Sequence, residues 1–307
     1  MDNKIIAVVV MYNPDIETFI EQHQSLRYQV CNVVYVDNGS DNYNEFFSRL
    51  VNAEVSDGYV SIIKNTQNFG LGFAQNQGVE KALELGASHV LILDHDSVLK
   101  ENFVSALLFA EELLLQKGIP IGAVGPVYVN EKTGEVYPIT KYIGPFIKRL
   151  KPEASPQKAS FLISSGTLIR KCVLDIVGLM NEDLFVDYVD IEWSYRAVHK
   201  GFALYAVPSA RMSHVVGDAR LSVFGRTISV HSPLRRYYLS RNSIHMLRMP
   251  YVDLGYKLRE LVFNGIRIII FFIISKQRML FLKFSLKGFW DGFKGVVGEC
   301  SINKKST

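Results

Sequence analysis

Asp94, His95 and Asp96 follow directly on the apolar run His89-Val90-Leu91-Ile92-Leu93. A buried strand that ends in two acids one residue apart holds two carboxylates at the carboxyl edge of a sheet, where a hard cation and a phosphate can reach both. The plain alternative is that Asp94 and Ser97 only cap a following helix. A second acidic cluster, Asp187-Tyr188-Val189-Asp190-Ile191-Glu192, runs on to Arg196. A carboxylate at a helix start and facing a pocket is how a general base for a hydroxyl is held. Asp190 could equally be an N-cap, with Glu192 and Arg196 paired one turn apart.

Three further groups could meet a nucleotide. Asp37-Asn38-Gly39-Ser40 is either a turn or, after a buried strand, an acid that accepts from a base N–H or a ribose hydroxyl. Asn68-Phe69-Gly70-Leu71-Gly72 and Asn76-Gln77-Gly78 crowd glycines and amides into a loop entering a helix. There a backbone could approach a nucleotide or sugar closely, or simply turn and cap. Arg235, Arg236 and Arg241 stand beside Tyr237 and Tyr238 on one helical stretch and could ring an anion or form a solvated basic face. His214 is a lone histidine, a type more often structural than ligating.

These residues need elements to hold them. The first hundred residues alternate between β-type runs (5–10, 33–36, 59–63, 90–93) and helical stretches (16–28, 72–85). Such alternation predicts a parallel sheet with right-handed crossovers and ligands beyond the carboxyl ends of the strands. Tyr12-Asn13, Asp37, the 65–72 stretch and the paired acids all fall at such ends. A helix over 102–116 follows, the Pro/Gly/Lys-rich stretch 133–158 reads as a mobile loop, and Phe161-Leu162-Ile163 opens a second half.

Composition narrows the classes. With 307 residues and 48% hydrophobic content, the chain can bury a large core, so disorder is not expected. Cys31, Cys172 and Cys300 lie far apart with no C-x-x-C, which points away from a disulfide framework or a zinc site and towards a reducing cytosol. The first residues lack the basic flank and cleavage site of a signal peptide. Net charge is only +4, yet between Arg235 and Lys294 twelve Lys/Arg meet three acids, a local excess of +9.

Taken in order, Tyr12-Asn13, Asp37-Asn38-Gly39-Ser40, Asn68-x-Gly70, Asn76-x-Gly78, Asp94-x-Asp96, Ser165-Gly166, Asp190-x-Glu192 with Arg196, His214 and Arg236-Tyr237-Tyr238-x-x-Arg241-Asn242 resemble the inverting family 2 glycosyltransferases. Within that family the chain is most similar to bacterial L-rhamnosyltransferases of surface-polysaccharide assembly. The resemblance spans roughly residues 5 to 250, and Val189 stands where many members have Glu, which leaves Asp190 as the carboxylate at that spot. It implies a GT-A fold, an α/β architecture with a Rossmann-like, mainly parallel sheet flanked by helices. It also implies a dTDP-β-L-rhamnose donor, a lipid-linked saccharide acceptor and no nucleic-acid partner. Mg²⁺ or Mn²⁺ would be held by Asp96 and Asp94, with His214 nearby. Asp190 would be the base. Tyr12, Asn13, Asp37, Asn68, Gly70 and Asn76 would surround the donor, with Asp94, Arg236 and Arg241 near its diphosphate.

A rival reading takes Leu93-Asp94-His95-Asp96-Ser97-Val98 as the nucleophile motif of a haloacid-dehalogenase-like phosphohydrolase. It lacks a second acid after Gly217-Asp218 at the needed spacing, and its acids come after several strands instead of opening the domain.

The catalytic domain is expected to occupy residues 1–250 and a basic, apolar helical extension residues 251–307. Residues 261–274 are apolar apart from Asn264 and Arg267, too short to cross a bilayer that needs about 20 such residues. Lys276, Arg278, Lys283, Lys287 and Lys294, interleaved with Met279, Leu280, Phe281, Phe284 and Trp290, fit a segment lying in the interface of an anionic membrane or a C-terminal helix pair folded onto the catalytic domain, and one face could do each job. The protein is thus expected in the cytoplasm, peripheral on the inner face of the cell membrane.

Overall fold

The computed structural model describes residues 3–50, 58–130, 133–213, 219–223, 226–230, 232–275 and 277–301. The chain begins β1 (Ile5–Met11), α1 (Ile16–Leu26), β2 (Asn32–Asp37), α2 (Tyr43–Leu50), β3 (Val60–Lys64), α3 (Leu71–Glu84) and β4 (His89–Asp94). It continues through α4 (Phe103–Gln116), β5 (Ile121–Val129), a hairpin of β6 (Ile139–Ile143) and β7 (Phe146–Leu150), β8 (Gln157–Ala159) and β9 (Thr167–Arg170). Then come α5 (Lys171–Val177), α6 (Val189–His199), β10 (Ala203–Ser213) and a second hairpin, β11 (Ala219–Val223) with β12 (Arg226–Val230). Three helices follow: α7 (Pro233–Arg248), α8 (Leu254–Ile274) and α9 (Arg278–Lys294).

The main sheet runs β3-β2-β1-β4-β9-β5-β10-β8. Pairing is parallel from β3 to β4 and between β5 and β10, while β9 enters antiparallel beside β4 and β5. Because side chains alternate along a strand, Ile6, Val8 and Val10 join one apolar layer and Ile5, Ala7, Val9 and Met11 the other. Both faces of β1 are covered, which is why it reads as an unbroken apolar run. Val10 pairs with Asp94 and Met11 with Asp37, so both acids stand at one edge, on either side of β1.

Residues 133–158 contain the β6–β7 hairpin and the edge strand β8, where a mobile loop was expected. The hairpin turns at Gly144 (φ 55°), whose backbone lies so close to Gly255 of α8 that a Cβ there would come within 2.3 Å of it. The expected interfacial segment over α9 packs one face inward and leaves Met279, Leu280, Leu286, Trp290 and Phe293 exposed on the rest. Phe281 and Phe284 are buried, and Gly288 and Gly292 lie against the backbone of α7. No helix among the described residues is long and apolar enough to cross a membrane.

Candidate active site

The acid turn after β4 is held from two sides. Gln22, on the buried face of α1, donates its side-chain amide to the carbonyls of Asp94 (2.5 Å) and Ser97 (3.1 Å). From the other side Ser165 Oγ accepts the Asp94 amide hydrogen at 3.1 Å and lies 2.5 Å from Ser97 Oγ. Ser165 is held in turn by Tyr128 of β5, whose hydroxyl donates to its carbonyl at 2.6 Å. No α-helix starts at these acids: α4 begins at Phe103, after Asn102, so neither Asp94 nor Ser97 caps it.

Electrostatics ties this turn to α6. Burial, then the charges of Asp96 and Asp190, push the Asp94 carboxyl up to about 7, opposed by Arg235. No hydrogen bond from a described residue contributes to that balance. Tyr128 is raised well above its ordinary value by burial and then by Asp94 and Asp190, so it borders both acids. Asp190 is pushed up to about 6, chiefly by burial, although it accepts the backbone hydrogen of Ile191 at 2.8 Å. Beside it lies a recess of about 20 Å³, lined by Gln75, Ser164 and Ser194 among others. That is room for about one water. The Gln75 carboxamide is buried there with neither polar atom partnered.

The loop before Asp190 is strained and clamped. Phe185, Asp187 and Tyr188 all have positive φ (64°, 57° and 66°), each conformation costing about 1 kcal/mol or more for a non-glycine residue. Asn242 Nδ2 donates to the carbonyls of Leu184, Val186 and Asp187 at 2.7 to 3.0 Å. Arg235 grips the Asp187 carboxylate through Nε and Nη2 at 3.1 and 3.0 Å.

At the β1 and β2 ends, Asn13 (φ 47°) stitches two loops together. Its amide donates to Ser40 Oγ and its side chain accepts from the Asp41 amide, both at 2.8 Å. Tyr12 is 47% exposed beside them. Asp37 is buried and accepts from the Ser40 amide at 3.2 Å, and desolvation raises its carboxyl.

Several expected ligand contacts are filled by protein. Asn68 Oδ1 accepts from the Gly70 amide and from Asn38. Asn76 bonds the backbone of Met180 and the carboxylate of Glu182. A Cβ on Gly70 would collide with Phe185 and on Gly78 with Val8 at 2.3 Å, and one on Gly72 would lie tight against Asn181. These glycines make room for the protein's own chain.

Arg236 and Arg241 are likewise engaged by protein. Arg241 is fully buried and donates to the carbonyls of Asp183, Leu184 and Gly298 and to Asn242 Oδ1. Arg236 is buried against α8, 3.5 Å from Asn264 Oδ1, and burial, then Arg267, lowers it to about 10. Arg235, the third member of that cluster, is the one whose charge reaches Asp94. Glu192 is occupied too, bonded by Arg196 at 2.8 Å and by Tyr251 at 2.5 Å. His214 lies outside the described residues. Gln22, Gln75 and Tyr128 were not singled out as site residues from sequence, and Arg235 was read there only as one of the clustered arginines. Gln22 carried a faint signal, as a polar residue on the apolar face of its helix.

Among the described residues no group of three or more His, Cys, Asp or Glu side chains is arranged to hold a metal ion. The donor set at the turn is nevertheless of the right kind. Asp94 and Asp96 offer hard carboxylate oxygens; burial and then the Asp96 charge raise Asp94, and a divalent cation would offset both.

The family model described as Glycosyl transferase family 2 matches residues 6–178. The dTDP-rhamnosyl transferase RfbF of Shigella flexneri is 33% identical over 306 residues, which cover 99% of this chain and all of that protein. Among solved structures, GalNAc-T7 with UDP, GalNAc and Mn²⁺ superposes with a TM-score of 0.58 at 16% identity. That match covers 85% of this chain and 55% of the other, about half its length. The mannosyltransferase PcManGT of Pyrobaculum calidifontis, in complex with GDP-Man and Mn²⁺, gives 0.53 at 14% identity, covering 95% and 75%. At such identities the likeness carries the fold, and it bears out the expected GT-A architecture.

Proposed function

The chain belongs to glycosyl transferase family 2, and from that membership we propose that it moves L-rhamnose from dTDP-β-L-rhamnose to a hydroxyl of a lipid-linked saccharide, with inversion. The observation that carries the donor is the end-to-end likeness to a dTDP-rhamnosyl transferase.

The geometry supports a consistent chemistry. Asp94 and Asp96 would hold Mg²⁺ or Mn²⁺, which neutralises the charge developing on the departing diphosphate. Asp190 takes the proton of the acceptor hydroxyl as that oxygen attacks the anomeric carbon from the face opposite the leaving group. One C–O bond forms while the bond to the nucleotide breaks. A base so placed is worth about 10²–10⁴ in rate. Buried Asp37 accepts a hydrogen from the nucleobase or ribose, and the half-exposed ring of Tyr12 packs over the nucleoside. Arg235, from α7, supplies a positive charge that acts on Asp94.

A lipid-linked acceptor of surface-polysaccharide assembly brings the enzyme to the inner face of the membrane. The support is α8, whose polar residues Glu260 and Asn264 are buried while Leu254, Leu258, Leu261, Val262, Ile269 and Ile273 are each more than half exposed. Such an inside-out helix suits the headgroup boundary, with the basic side chains of α9 facing anionic lipid.

The test offers purified protein a panel of nucleotide sugars with Mg²⁺ or Mn²⁺ and follows nucleotide release and thermal protection. dTDP-rhamnose should be cleaved in preference to UDP- and GDP-sugars. Preference for another sugar overturns the donor, and cleavage of a simple phosphomonoester overturns the reaction class.

A further inference from the structure

The base is fixed from a helix distant in sequence. Tyr188 immediately precedes α6, two residues before Asp190, in a left-handed conformation (φ 66°, ψ −5°). A bulky residue adopts that region only when its surroundings impose it. Its buried hydroxyl donates to Glu260 Oε2 of α8 at 2.7 Å, across 72 residues of chain. Glu260 is itself buried, bonded by Arg259 Nη1 at 2.6 Å and Arg267 Nη1 at 3.4 Å.

A buried ion pair is weak evidence for stability, because desolvation offsets the attraction. What it gives instead is direction, since a carboxylate locked by two guanidinium groups presents its free lone pair at one place. The Tyr188 ring reaches that place with its backbone held in the left-handed turn. Asp190, two residues on, inherits its position from that turn.

We propose that Tyr188 and Glu260 are positioning residues for the transfer step, setting the location of the Asp190 carboxylate from α8. The inference rests on Asp190 being the base. With water as acceptor, the water oxygen bonds to the anomeric carbon, the bond to the nucleoside diphosphate breaks, and the water proton passes to Asp190. That reaction reads the base without requiring the natural acceptor.

The experiment uses full-length protein, with dTDP-rhamnose and Mn²⁺ as the probe. Tyr188→Phe removes one hydroxyl and almost no volume. Nucleotide release should fall about tenfold in kcat while the KM for donor stays within about twofold, as misplacement of a reacting group by under an ångström implies. Glu260→Gln keeps an acceptor for the hydroxyl and should lose less than Tyr188→Phe. The melting temperature and the protection given by dTDP are measured on the same samples. The proposal is overturned if Tyr188→Phe keeps kcat within about twofold of wild type, or if kcat falls only together with donor KM and melting temperature. Should the panel reveal a different donor sugar, the same comparison runs on that sugar, so a wrong donor and a wrong positioning pair give different results.

Discussion

Gln22 and Asp94 meet side chain to backbone, the Gln22 amide donating to the Asp94 carbonyl at 2.5 Å from a helix that starts only five residues after β1 ends. Helix α1 therefore shapes the acid turn directly. Gln22→Ala removes a donor from two carbonyls, of which that of Asp94 keeps the Ser97 amide, at a cost of about 1–3 kcal/mol in stability. It should also weaken Mn²⁺ binding by about 10- to 100-fold, as loss of a support behind metal ligands does. Calorimetric titration of Mn²⁺ and a melting curve check both; unchanged Mn²⁺ affinity means the turn needs no such support.

Asp96→Ala should abolish metal-dependent nucleotide release with the fold intact, because the side chain is exposed at the turn and contributes no core volume. Circular dichroism and turnover with and without excess chelator test it. Wild-type activity that survives complete chelation refutes a metal at this pair.

Asp190→Asn keeps the shape of the side chain and cannot take a proton, so donor protection should persist while transfer is lost. The wild-type carboxyl is pushed up to about 6 by burial. The base works only when ionised, and it is protonated below that value. Accordingly kcat/KM should climb as pH rises through about 6 and level off above it. The Asn variant should show no such step. A wild-type profile without a rise in that interval removes Asp190 from the role.

Two outward residues of α8 test the membrane. Leu261→Glu with Ile269→Glu should abolish flotation with anionic vesicles and leave donor hydrolysis in solution within about twofold, since both side chains are more than half exposed. Each basic residue near an anionic surface adds about 1 kcal/mol, so raised salt should also weaken wild-type binding. Wild-type protein that stays unbound at low salt sinks the idea. Truncation before α9 is the poorer probe, because Gly288 and Gly292 pack on α7 and the buried Cys300 amide bonds Tyr238.

The acid-bearing edge of the sheet was legible in the sequence because buried parallel strands leave continuous apolar runs and their polar ends stand out. Asp37 and Asp94 mark that edge, on either side of β1. The glycines read ambiguously, since Gly78 makes room for Val8 and Gly70 for Phe185, and a sequence does not say whose atoms approach a glycine. The arginines read ambiguously for a related reason. Arg241 is satisfied by carbonyls nearly sixty residues away, so its burial has no local signal. The β6–β7 hairpin was missed because its strands are short and β7 is mostly exposed, which erases the alternation that marks a strand.

The clamp on the catalytic loop also orders events in time. Every hydrogen bond that α7 makes to the 183–187 carbonyls closes 55 to 58 residues of intervening chain. During synthesis from the N-terminus, the sheet that carries Asp37 and Asp94 can assemble from nearby segments well before α7 has emerged. On the roles proposed above, a nascent chain thus completes the acids of its donor side before α7 clamps the loop that carries Asp190.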